Sequence, residues 1–128
     1  MKDNRVTLLQ AKRLKRMGYN NPSTAYLIGN TLVKYQAPNN WNHKRDYSNL
    51  TFPYIGVPTC DEVLEWLYNK YDIYVNIQRW VTDLKFSYSI VKQSKILHIE
   101  FIREFRDLNC AKRTAITKAL TILQQENK

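Results

Sequence analysis

A chain of 128 residues that is 44% hydrophobic and 12% aromatic can bury one core and is too apolar for intrinsic disorder. Its net charge of +9 points to acidic partners, whether nucleic acid, an anionic surface or an acidic protein. No apolar run reaches bilayer length, Met1–Arg5 leads into no secretory signal, and Cys60 and Cys110 lie far apart, so free thiols, no membrane and a cytoplasmic location are expected.

The charge is uneven. Residues 1–18 hold six basic side chains against one acidic, and residues 110–128 hold four against one. Residues 58–109 hold seven against eight. The surplus therefore sits at the ends, around a balanced middle.

The first helix is signalled by Thr7 and Gln10, a capping-box pair, with Val6 set to staple against Ala11. Leu8, Ala11, Leu14 and Met17 make its apolar stripe, and Gly18 stops it. Lys12, Arg13, Lys15 and Arg16 fall on adjacent rows and form one basic face. That face suits phosphate contact, although a solvated outer face is the simpler reading. Ala25–Ile28 and Thr31–Tyr35 then flank Gly29-Asn30, which reads as a tight hairpin. Residues 36–56 read as a long loop whose Trp41, Tyr47, Phe52 and Tyr54 pack down rather than float.

The second helix opens at Thr59 and Glu62, buries Val63, Leu64, Trp66, Leu67 and Tyr71, and ends at Asp72. Ile73, Val75, Ile77 and Arg79 alternate with Tyr74, Asn76, Gln78 and Trp80, the pattern of a half-buried strand. Lys85–Val91 follows, with Phe86, Tyr88 and Ile90 on one face. Residues 96–105 make a third strand, with Leu97, Ile99, Phe101 and Phe105 toward the helices and His98, Glu100 and Ile102 away. Asn109 caps a last helix with a small-residue stripe of Ala111, Ala115, Ala119, Leu120 and Leu123. Lys112, Arg113 and Lys118 lie off that stripe. The fold class is α+β: an N-terminal helix and β-hairpin, then helix, three-stranded antiparallel meander and helix. The whole chain reads as one domain, with residues 1–57 added to a 58–128 core.

Catalytic chemistry finds little support. Cys60 and Cys110 begin predicted helices, where the dipole favours a thiolate. With His43 or His98 as base they make a cysteine enzyme the third choice. The same four residues are too dispersed for a structural zinc site. Asp61, Glu62 and Glu65 suit a helix start on dipole grounds alone. With no glycine-rich phosphate loop, no GxSxG and no HExxH, neither an enzyme nor a cofactor is expected. The sheet face of Tyr74 and Trp80, with His98 beside it, suits a protein partner or base stacking. The competing expectation is that the hairpin and the Trp41 loop cover it.

The order of helix, three strands and helix over residues 59–125 is similar to the double-stranded-RNA-binding domain, with Lys112-Arg113 near the start of the last helix. That family's inter-strand loop with glycine, proline and histidine is replaced here by Trp80-Val81-Thr82-Asp83-Leu84. Gln10-Ala11 leading to Gly18, Asn40-Trp41-Asn42, Pro53-Tyr54, Pro58-Thr59, Trp66-Leu67 and Ala115…Ala119-Leu120 together resemble a group of short phage and prophage proteins. That resemblance implies a mobile-element origin and a bacterial cytoplasm, and supplies no activity. The Lys112-Arg113 pair departs from the group's more acidic last helix.

The sequence thus points first to a non-catalytic accessory protein that contacts a protein partner through Trp41, Tyr74 and Trp80, with a homodimer also expected. The alternative is nucleic-acid binding through Lys12, Arg13, Lys15, Arg16, Lys112 and Arg113.

Overall fold

A computed structural model describes residues 4–29, 31–43, 54–80, 85–92, 95–102 and 108–126. The chain divides into two compact units, Arg5–Thr59 and a second made of Met1–Asn4 with Cys60–Lys128.

In the first unit, α1 (Leu8–Arg16) starts on a complete capping box. The Thr7 hydroxyl accepts from the Gln10 amide at 3.1 Å, and the Gln10 side chain accepts from the Thr7 amide at 3.0 Å. This reciprocal pair explains why Gln10 is buried while Leu8, expected in the apolar stripe, is exposed. Gly18, at φ +87°, ends the helix as expected. β1 (Ser23–Ile28) and β2 (Thr31–Asn39) form the predicted hairpin, with Ile28 opposite Thr31. Gly29, at φ +60°, supplies the left-handed backbone that a two-residue turn needs.

The expected loop over 36–56 is corrected at both ends. β2 runs on to Asn39, and β3 (Tyr54–Gly56) pairs antiparallel with the other edge of β1, giving the order β2-β1-β3. Residues 44–53, including Tyr47 and Phe52, lie outside the described residues. A 3-10 turn at Trp41–His43 closes over this sheet.

In the second unit, α2 (Cys60–Tyr71) buries Cys60, Val63, Trp66 and Leu67. β4 (Ile73–Trp80), β5 (Lys85–Lys92) and β6 (Lys95–Ile102) form an antiparallel meander in the order β4-β5-β6. α3 (Leu108–Glu126) buries Ala111, Ala115, Ile116, Ala119, Leu120 and Leu123. Its alanines let the helix backbone approach the sheet closely, as the sequence pattern suggested. Each fully buried leucine or isoleucine here contributes about 1.5–3 kcal/mol of transfer free energy. The helix starts one residue early for Asn109 to be its cap, so Asn109 sits inside the first turn. α2 packs on β4, and α3 on β5 and β4, against the face of Ile73, Phe86, Tyr88 and Ile90.

Asp72 joins α2 to β4 at φ +57°, a left-handed conformation that a side-chain-bearing residue adopts at a cost. A negative charge also opposes the α2 dipole at that end. Asp72→Gly is expected to stabilise the chain by about 0.5–1 kcal/mol, read as a higher midpoint in urea denaturation.

Candidate functional site

The sequence-derived candidates divide between the two units. Lys12, Arg13, Lys15 and Arg16 lie on α1 in the first, whereas Lys112 and Arg113 lie on α3 in the second. Lys12 and Arg16, one helical turn apart, are exposed. Lys15 instead donates to the Tyr54 carbonyl at 2.8 Å, and partial burial lowers its pKa. Arg13 is half-buried. Lys112 donates to the Asp61 carboxylate at 2.7 Å, so part of the α3 charge is balanced within its own unit.

Trp41 packs down, as its loop suggested, and is therefore not the exposed partner contact it was also expected to be. It is 4% exposed, its Nε1 donates to the Ser23 carbonyl at 2.7 Å, and its ring lies 4.1 Å from Tyr26 and 5.6 Å from Tyr54. The first unit therefore packs Trp41, Tyr26 and Tyr54 together on its own sheet. Tyr74 is 54% exposed. The Trp80 and His43 side chains lie outside the described residues.

His98 is also relocated. Lys92 pairs with Lys95 and Val91 with Ile96, but Ile90 pairs with His98, so one extra residue enters β6 between these pairs. The bulge exchanges faces beyond it. His98 therefore stands beside Tyr88 (ring centroids 5.7 Å apart) and not beside Tyr74. The side chains of Ile99, Glu100, Phe101 and Ile102, and all of Phe105, lie outside the described residues. With Thr114, Thr117, Lys118 and Thr121, His98 and Tyr88 line an open groove of about 460 Å³. Thr114 and Thr121 direct their hydroxyl protons to the carbonyls of Cys110 and Thr117. Those two hydroxyls therefore have no proton to offer an anion in the groove.

Cys60 is 1% exposed and Cys110 half-buried, and both are free thiols. Burial keeps the Cys60 sulfur away from any substrate, whatever the helix dipole does to it. Among the described residues, no three His, Cys, Asp or Glu side chains gather as a metal site, and no helix is long and apolar enough to cross a membrane.

A second recess in this unit lies between α2 and β4. Leu64, Glu65 and Tyr68 line it from the helix, and Ile73, Tyr74 and Val75 from the strand, enclosing about 290 Å³. Ile73 makes a buried apolar wall; Tyr68, 55% exposed, meets the Tyr74 ring edge-on at 6.4 Å. Glu65, also exposed, supplies the charge among the six. The tight turn at Asp72 folds α2 back along β4 and sets these two rows side by side.

Sequence reasoning reached Tyr74 through strand alternation but missed Tyr68, which sits one row beyond the α2 apolar stripe. An aromatic residue in that position was the available signal. No protein-family model, curated protein or solved structure matches this chain.

Proposed function

We propose that this chain is a non-catalytic, phage-type accessory protein that works by contact with another protein, through the cleft between α2 and β4. The observation that carries the reading is the pair of half-exposed tyrosines, Tyr68 and Tyr74, beside a buried apolar wall. Large aromatics that keep one face wet and one face packed are the usual anchors of protein interfaces. A single carboxylate, Glu65, adds selectivity at the rim.

Nucleic-acid binding is the second reading, favoured by the net charge of +9 and by exposed Lys12 and Arg16. It is weakened by the engagement of Lys15 with a backbone carbonyl and of Lys112 with Asp61. Phosphate binding draws its free energy from unpaired cations and counterion release.

Replacing Tyr74 with a photo-crosslinking residue in the full chain, expressed in bacterial cells with its phage genes, distinguishes the two. Covalent adducts with protein are the expected result, lost when Tyr68→Ala is added. Adducts with nucleic acid alone, or no adduct, overturn the reading.

A further inference from the structure

The strand that borders the cleft lacks the devices that ordinarily protect a sheet edge. Among the described residues β4 pairs with β5 alone, in unbroken register at all eight positions. It has no proline, no bulge and no charged residue before Arg79. The other edges differ. β6 opens with Lys95 and carries a bulge; β2 contains Lys34, Pro38 and a register shift; β3 is three residues long. Edges are blunted by such features because unpaired backbone N–H and C=O groups recruit further strands. A groove between an unprotected edge strand and a helix suits an added strand, whose backbone bonds to the edge while alternate side chains face the helix.

Two charges specify what that strand should carry. Val75, Ile77 and Arg79 share the helix-side face of β4, the face on which Arg79 pairs with Phe86. Arg79 is exposed, and Glu65 rims the cleft beside Val75. Val75 and Arg79 are separated by roughly 13 Å at strand rise, so the acidic and basic features occupy opposite ends of the edge.

Resting on the protein-contact reading above, we propose that the cleft takes an extended segment of a partner protein, added antiparallel to β4. That segment presents an acidic residue opposite Arg79, an aliphatic residue opposite Ile77 and a basic residue opposite Val75 beside Glu65. In chain order it reads acidic, any, aliphatic, any, basic.

The test is backbone amide NMR of the full chain, titrated with a short blocked peptide in which glutamate, valine and lysine alternate with threonine in that order. Shifts concentrated in β4 and α2 are expected. A peptide with glutamate and lysine exchanged should bind about tenfold more weakly. The doubly substituted Glu65→Lys, Arg79→Glu chain should reverse that preference. Both residues are exposed, and an otherwise unchanged amide spectrum verifies that the variant is folded. Absence of β4 shifts at millimolar peptide, or indifference to charge order, overturns strand addition. Protein adducts from position 74 together with a failed titration reject the strand while keeping the protein contact. Failure of both rejects the protein contact as well.

Discussion

Trp41→Ala is expected to destabilise the first unit by about 3–5 kcal/mol, the range for deleting a buried aromatic side chain. The indole is 4% exposed and packs on Tyr26 and Tyr54, which belong to β1 and β3. Its loss opens a cavity on the sheet and also removes the Nε1 bond to the Ser23 carbonyl. Trp41→Phe should recover much of the packing and leave the carbonyl unsatisfied, with a residual cost of about 1–3 kcal/mol. Urea denaturation followed by circular dichroism measures both. A surface contact residue would behave differently, leaving stability within about 0.5 kcal/mol on truncation to alanine. A result of that size would return Trp41 to the interface candidates.

The elements legible in the sequence are those whose signals are local. The Thr7–Gln10 box, the Gly29-Asn30 turn, the stop at Asp72 and the alanine stripe of α3 each depend on residues a few positions apart. β3 was not legible because three residues are too few to establish a period, and their partner β1 lies about thirty positions away. His98 was assigned to the wrong face because period-two counting through β6 cannot detect an inserted residue opposite Ile90 and Val91. The cleft was half legible. Alternation exposes Tyr74, but only tertiary packing sets Leu64, Glu65 and Tyr68 alongside an edge strand. The uncharged run from Ile73 to Gln78 is a sequence signal for such an edge, and it becomes informative once β4 is known to be outermost.

Asn42 joins three elements of the first unit, and its near-isosteric replacement by aspartate should be the more revealing substitution. The residue is 5% exposed. Its Nδ2 donates to the Tyr19 carbonyl at 2.9 Å, and its Oδ1 accepts from the Gly56 amide at 2.8 Å. These bonds tie the 3-10 turn to the segment that follows α1 and to β3. Asn42→Asp keeps the acceptor for Gly56 but turns a carboxylate oxygen toward the Tyr19 carbonyl, placing two acceptors in contact. At neutral pH the cost should be about 2–4 kcal/mol, from one lost bond and a buried charge. Burial and the facing carbonyl both disfavour the anion, so the folded-state pKa of the new carboxyl rises above its unfolded value of about 3.9. The penalty is therefore absent below the unfolded pKa, grows as pH rises through it, and levels off above the folded pKa. The melting-temperature gap between Asn42→Asp and the parent chain should narrow on acidification toward pH 4, as the protonated carboxyl donates to Tyr19. Asn42→Ala loses both bonds at every pH, so its gap should stay constant over the same range. A gap for Asn42→Asp that does not change with pH would mean that the side chain is hydrated and that these three elements are held together by other contacts.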